Sequence, residues 1–189
     1  MSMFTKIFLA TVALVGSATA DTKGAPAAAK TEVKPEPPRP PAEIEAMAKN
    51  VVGTWKCTGT SSGMDGSSEK MTAKVVAKVD LDKWWINDVV EGKGSRGSFR
   101  MISYSTFDAA SKKWRRISID NYGNQYVGTS DGMKENKLVW NLDFMGAMGA
   151  GQFKETVDPT DPKAVKFNGV VSVDKGKSWK PVYEMVCKK

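Results

Sequence analysis

Histidine is absent from the 189-residue sequence, and cysteine occurs only twice, at Cys57 and Cys187. Without histidine the chain cannot form Ser–His or Cys–His catalytic pairs, a histidine-ligated haem or most catalytic zinc sites. Two cysteines are too few for a four-cysteine metal centre or an iron–sulfur cluster. We therefore expect no metal ion and no cofactor. Hydrophobic residues at 41% and charged residues at 26% are typical of a globular domain.

Long apolar runs are also scarce. The run Ile7–Val15 is about half of the roughly 20 residues that a membrane span needs. Lys6 precedes this run and Ala18-Thr19-Ala20 follows it, which is the pattern of a signal peptide over residues 1–20. We expect cleavage after Ala20 and a periplasmic or secreted mature protein without a membrane span.

The net charge is basic but dispersed. Loss of Lys6 with the signal peptide lowers the formal charge from +7 to +6. A basic domain can indicate nucleic-acid binding, but an exported protein rarely meets nucleic acid, and these lysines are scattered along the chain. We expect a solvated monomer with mild attraction to anionic envelope polymers and no nucleic-acid partner.

Residues 21–41 consist mainly of Ala, Lys, Glu and Pro, a composition that buries little apolar area and predicts a disordered linker. The domain is then expected over residues 42–189. A short helix opens it, because Pro41 suits a first helical turn and Ile44, Met47, Ala48 and Val51 fall on one stripe.

From Val52 onward the hydrophobic period changes to two, as in Leu138, Trp140, Leu142 and Phe144. Short turn signals separate about ten such segments, and no helix is expected among them. The pattern predicts an all-β, antiparallel up-and-down barrel, and a two-sheet sandwich is the alternative. The predicted strands span residues 52–60, 69–81, 83–91, 98–107, 113–121, 125–130, 136–144, 151–158, 163–173 and 178–187.

The two cysteines bear on barrel closure. Cys57 lies in the first predicted strand and Cys187 in the last, and these strands are neighbours only in a closed sheet. Export to an oxidising compartment favours a structural disulfide between them. Two free thiols are the alternative, and a redox pair would need a CxxC spacing that is absent.

A resemblance to a known family rests on several short motifs. Gly53-Thr54-Trp55 follows the helix, as in the Gly-x-Trp of lipocalin-like barrels. With the further motifs, the chain over roughly residues 42–187 resembles the bacterial family called domain of unknown function 1579. The resemblance implies a lipocalin-like (calycin) barrel and no assigned chemistry. Related haem-binding nitrobindins use a proximal histidine, which this chain lacks. The further motifs are Gly94-Ser95-Arg96-Gly97, Thr106-Phe107-Asp108, Lys113-Trp114, Asp120-Asn121-Tyr122-Gly123, Gly128 and Asp131-Gly132.

The preferred function is non-enzymatic binding of a small apolar or amphipathic ligand inside the barrel. An inward arginine, Arg100 or Arg116, would anchor a carboxylate or phosphate group, but cross-strand ion pairs on the outer surface are the favoured interpretation of both residues. The candidate ligand-binding residues are Trp55, Arg100, Tyr104, Arg116, Trp140, Phe144 and Phe153.

Two other functions remain open at this stage. A barrel filled by its own side chains would be a structural or interaction protein of the cell envelope. A carboxylate-and-tyrosine enzyme is the third reading, with Glu155 and Tyr104 as its candidates. Parity with Phe153 and Val157 turns Glu155 inward, whereas Asp120 and Asp143 are expected to face water. No catalytic residue is assigned.

Overall fold

The structure is a computed structural model that describes residues 37–63, 65–94, 97–147, 149–161 and 164–189. The predicted signal peptide and residues 21–36 of the predicted linker lie outside the described residues. The elements are α1 (Ala42–Val51), β1 (Gly53–Ser62), β2 (Ser68–Asp80), β3 (Trp85–Gly94), β4 (Gly97–Asp108), β5 (Lys113–Asp120), β6 (Gln125–Ser130), β7 (Met133–Lys134), β8 (Lys137–Gly146), β9 (Gly149–Asp161), β10 (Ala164–Ser172) and β11 (Lys180–Lys188).

Ten of these strands form a closed antiparallel barrel. Each long strand pairs with its neighbours in sequence, β6 pairs with β8, and β1 pairs with β11. The two-residue strand β7 lies outside this circuit and pairs only with the start of β8. The predicted up-and-down barrel is therefore confirmed, and the sandwich alternative is wrong. Closure leaves no unpaired edge in the barrel wall.

A disulfide joins the first and last strands of the barrel. Cys57 of β1 and Cys187 of β11 are direct cross-strand partners with their Cα atoms 4.0 Å apart, and their sulfur atoms are bonded. Both side chains are buried inside the barrel, beside Met71, Ala73 and Met185. The predicted pairing of Cys57 with Cys187 is confirmed.

The N-terminal helix α1 covers the end of the barrel at which β1 begins. Its apolar stripe buries Ile44 and Ala48 against Ile86, Trp114 and Trp140, which lie on the inner faces of β3, β5 and β8. Acidic residues in its first turn and a lysine in its last turn suit the helix dipole. Among the described residues, no helix is both long and apolar enough to cross a membrane.

Alternation along each strand defines an inner and an outer face. In β8, Leu138, Trp140, Leu142 and Phe144 are buried while the intervening residues are exposed. Strand β5 inverts the usual polarity, because Ile117 and Ile119 face outward at 44% and 54% exposure. Its inner face consists of Trp114, Arg116, Ser118 and Asp120.

Candidate functional site

A cluster of three charged side chains lies inside the barrel. Arg116 of β5 donates a hydrogen bond through Nη1 to Oε2 of Glu155 at 2.7 Å, across the lumen from β9. The Arg116 Nη2 atom also lies 3.8 Å from Oδ1 of Asp88 on β3. The cluster therefore contains one guanidinium between two carboxylates.

Neighbouring side chains fix the position of the guanidinium. Its Nε donates a hydrogen bond to Ser105 Oγ at 3.0 Å. Its Cζ lies 4.1 Å from the ring centroid of Trp140, which supports a cation–π contact. Arg116 thus has a defined orientation, because a ring, a hydroxyl and two carboxylates surround it.

Tyr183 completes the cluster from β11. Its hydroxyl donates a close hydrogen bond to Oε1 of Glu155. Burial, and then the neighbouring charge of Glu155, raise the pKa of Tyr183 well above its usual value. The phenol therefore stays protonated at neutral pH and acts as a hydrogen-bond donor.

Asp88 is hydrogen-bonded to Ser103 of the adjacent strand β4. Burial raises the pKa of Asp88, while the positive charge of Arg116 and a hydrogen bond from Ser103 oppose that rise. Ser118 Oγ donates in turn to Ser103 Oγ at 3.0 Å. Burial therefore favours the protonated form of the Asp88 carboxyl group, and the charge of Arg116 opposes it.

Asp120 forms a second polar group at the end of β5. Its carboxylate accepts hydrogen bonds from the Tyr126 hydroxyl at 3.2 Å and from Asn124 Nδ2 at 2.9 Å. Burial, together with the charge of Asp120, raises the pKa of Tyr126. The expectation that Asp120 faces water is therefore wrong: it shares the inner face of β5 with Arg116. Asp143 is exposed, as predicted.

An aromatic wall stands next to the charged cluster. Phe153 of β9 is its centre, with ring centroids 5.7 Å from Tyr126 and 6.2 Å from Tyr183. Phe144 of β8 lies 6.0 Å from Tyr126. Because Tyr183 belongs to both groups, the apolar wall and the polar cluster form one continuous lining.

Glycines on the inner face let two rings lie flat against the wall. A Cβ at Gly169 would be 2.6 Å from the Tyr183 ring, and one at Gly92 would be 2.0 Å from the Phe99 ring. Rings that rest on a glycine backbone occupy space at the wall rather than in the centre of the lumen.

The structure divides the predicted site residues into two groups. Trp55, Arg116, Trp140, Phe144 and Phe153 lie on inner faces. Trp55 sits at the helix-covered end, where its Nε1 donates to the Val51 carbonyl at 2.9 Å.

Arg100 and Tyr104 lie on the outer face of β4 and do not contact the cluster. Arg100 is 59% exposed and pairs with Glu91 at 3.5 Å. Tyr104 packs edge-on against Trp85, with ring centroids 6.3 Å apart. The surface ion-pair alternative thus describes Arg100, whereas Arg116 turns inward.

The predicted site residues did not include Asp88 and Tyr183 of the charged cluster or Tyr126 of the aromatic wall. Asp88 shares its parity with Ile86 and Val90, and Tyr183 shares its parity with Met185 and Cys187. This parity was the signal that could have identified both as inward-facing. Tyr183 takes the place beside Glu155 that the sequence analysis gave to Tyr104.

Comparison with known proteins identifies the family and the fold. Two solved structures share the fold, at identities too low to carry function. The crystal structure of Rv2717c from M. tuberculosis is 10% identical with a TM-score of 0.61, over 80% of this chain and 99% of the other. The S-type phycobiliprotein lyase CPES from Guillardia theta is 11% identical with a TM-score of 0.54, over 77% and 92%. No curated protein matches the chain. The family model described as "Protein of unknown function (DUF1579)" matches residues 40–189, so the chain belongs to the DUF1579 family.

Proposed function

We propose that this protein is an exported, non-enzymatic carrier that binds a small amphipathic molecule inside its barrel. One observation carries the proposal: the charged side chains in the barrel interior are largely but not completely buried. The exposed fractions of the side chains are 17% for Arg116, 17% for Asp88 and 14% for Glu155. A small ligand that enters beside these inward-pointing side chains would cover the part of their surface that is still exposed.

The rest of the lining supplies an apolar surface for the ligand. Several inner-face side chains are only partly buried, although they pack against the core around the disulfide. A ligand that covers them would gain roughly 25 cal/mol for each Å² of apolar area removed from water. These side chains are Trp55, Val75, Val90, Phe99, Phe167 and Tyr183.

The charge balance of the cluster sets the polar group of the ligand. Arg116 already has Glu155 and Asp88 as partners, so an incoming carboxylate would have to displace one of them and approach the other. An unpaired carboxylate in a buried site is costly. We therefore infer a ligand with a neutral or cationic polar group, rather than the carboxylate or phosphate group that an inward arginine would suggest from the sequence.

The Glu155–Tyr183 pair raises the question of catalysis, since the fold also occurs in a lyase. The Tyr183 hydroxyl donates a hydrogen bond to Glu155, and the raised pKa of Tyr183 disfavours release of its proton. Arg116 occupies the other oxygen of the same carboxylate. Both oxygens of Glu155 are thus already hydrogen-bonded. This arrangement suits a fixed polar anchor better than an acid–base pair.

The test uses the chain that starts at Asp21 and three probes with one apolar tail. Dodecanol, dodecyltrimethylammonium and dodecanoate have similar apolar tails and carry a neutral, a cationic and an anionic head group, respectively. Tryptophan fluorescence and native mass spectrometry report their binding. We expect micromolar binding of the neutral or cationic probe and roughly tenfold weaker binding of dodecanoate. No binding of any probe to the folded protein, or tightest binding of dodecanoate, would overturn the proposal.

A variant makes the charge argument specific. Glu155→Gln removes one partner of Arg116 and should shift the preference towards dodecanoate. Glu91→Gln is the matched control, because Glu91 pairs with Arg100 on the outer face and lies outside the lumen. Equal effects of the two substitutions on probe preference would contradict a lumenal site.

A further inference from the structure

A trough of about 670 Å³ crosses the outer face of strands β1 to β4. The backbone of one cross-strand row forms its floor, because the side chains of that row point into the barrel. Side chains of the two adjacent rows form its walls. The floor row is Cys57, Ala73, Gly92 and Phe99, and the wall rows are Lys56, Lys74, Glu91 and Arg100 on one side and Thr58, Thr72, Lys93 and Ser98 on the other.

Like charges face each other at the β1 end of the first wall, whereas Lys74 faces Glu91 on its other side. Lys56 is the direct cross-strand partner of Lys74 on one side and of Lys188 on the other. Cross-strand neighbours of the same charge destabilise a sheet, and sheets commonly place opposite charges at such positions. Three consecutive lysines in register therefore have an electrostatic cost that a bound anion would remove.

The chain itself supplies little negative charge to this trough. Glu91 is the acidic residue of its lining, and its carboxylate is paired with Arg100 at 3.5 Å. Within the described part of the chain, the amino groups of Lys56, Lys74 and Lys93 have no ion-pair partner. The lining thus carries four cations against one carboxylate.

We propose that this trough binds a linear polyanion with phosphate groups along its backbone. Adjacent strands lie about 4.8 Å apart, so the wall from β1 to β4, which is cationic except at Glu91, is about 14 Å long, and Lys188 extends it by one strand. Ammonium and guanidinium groups bind phosphate oxygens through charge-assisted hydrogen bonds. Thr58, Thr72 and Ser98 add hydroxyl groups on the opposite wall.

The shape and composition of the trough favour such a polymer over nucleic acid or a membrane. Single-stranded nucleic acids stack their bases on exposed aromatic rings, but the aromatic residue of this lining, Phe99, turns its ring inward onto Gly92. Two rows of polar side chains about 14 Å long place their charges along a line, which suits an extended chain better than the broad surface of a bilayer.

The experiment measures binding of short-chain inorganic polyphosphate to the chain that starts at Asp21, by calorimetry at several salt concentrations. Lys56→Gln/Lys74→Gln removes two charges from the trough. Lys112→Gln/Lys137→Gln is the matched control, with the same loss of charge at exposed lysines outside the lining. Orthophosphate and vesicles that contain anionic phospholipid are the comparison ligands, and circular dichroism verifies folding of both variants.

The trough variant should bind polyphosphate roughly tenfold more weakly, and the slope of log K against log salt should fall by about two. The control variant should stay close to the wild type in both quantities. Equal losses in the two variants would assign binding to net charge and overturn the proposal. It would also be overturned by orthophosphate binding as tightly as the polymer, by no polyphosphate binding, or by binding to anionic vesicles alone. Dodecyl probes report on the lumen separately, so failure here leaves the carrier proposal intact.

Discussion

Removal of the Cys57–Cys187 bridge gives a direct measure of how much barrel closure contributes to stability. The bond encloses 130 residues and joins the two strands that close the barrel wall. In the chain-entropy model, a loop of this length restricts the unfolded chain enough to stabilise the native state by about 5 kcal/mol.

Cys57→Ala/Cys187→Ala should therefore lower the free energy of unfolding by about 5 kcal/mol, or by about 10–20 °C in melting temperature for a domain of this size. Urea titration followed by far-UV circular dichroism measures the difference. The folded spectrum should keep its β-rich shape, because the β1–β11 ladder retains its hydrogen bonds. Reductant should destabilise the wild type by a similar amount and leave the double variant unchanged.

Two outcomes would refute this reasoning. Coincident urea midpoints for the wild type with and without reductant would show that the bridge does not restrict the unfolded chain. Alkylation of unreduced protein that adds mass at both cysteines would show that the bond does not form in the mature protein. A loss of the β-rich spectrum in the double variant would instead make the bridge a requirement for folding.

Three further substitutions test the interior. Trp140→Ala should cost about 3–5 kcal/mol in urea unfolding, since Trp140 is 1% exposed and packs beneath Arg116; a loss below about 1 kcal/mol would contradict this packing. The pKa of Asp88 is higher in the folded protein than in the unfolded chain. The wild type therefore loses stability as the pH rises from the unfolded-state pKa through the folded-state pKa of this residue. Asp88→Asn removes this fall, so its stability relative to wild type should increase between acidic and neutral pH, and a pH-independent difference would refute the assignment. Gly169→Ala places a Cβ 2.6 Å from the Tyr183 ring and should cost about 1–3 kcal/mol and alter the near-UV spectrum, which an unstrained wall would leave unchanged.

The strand order could be predicted from the sequence because local patterns determine it. Alternation with period two identifies each strand, and short turns between consecutive strands make sequence neighbours into spatial neighbours. Cys57 in the first strand and Cys187 in the last provided the one long-range contact that distinguishes a barrel from an open sheet. Both signals are legible in a single sequence, and both agree with the structure.

The orientation of β5 could not be predicted in this way. Its sequence alternates charged and polar residues with isoleucines, and the usual rule places the isoleucines inside. The structure places Ile117 and Ile119 outside because Arg116 and Asp120 find partners on β3, β6 and β9 across the lumen. The partners of Arg116 on β3 and β9 lie far away in sequence, so no local pattern reveals that its charge is satisfied inside. The partners of Asp120, Asn124 and Tyr126, are only four and six residues away.

Strand ends near proline were also difficult to predict. The segment Asp158–Pro162 has the composition of a turn, yet β9 continues to Asp161. The pairing of β9 with β10 shifts register between Ala164 and Lys166, opposite this segment. Proline is tolerated where a ladder is irregular, because its missing N–H group is not needed there. The long-range pairing therefore overrides the local turn signal.

The alternation of inner and outer side chains lets one set of strands carry two separate surfaces. Along β2, Lys74 lies in the outer trough while its neighbours Ala73 and Val75 line the barrel interior. On β4, Arg100 faces the trough and Phe99 faces the lumen. A substitution at an outer position therefore changes the charge of the trough without removing a group from the lumen, and the reverse holds for inner positions. At Gly92 only the backbone lies between the trough and the lumen. A side chain at this position would point inward and displace the Phe99 ring, so it would disturb the lumen rather than the trough.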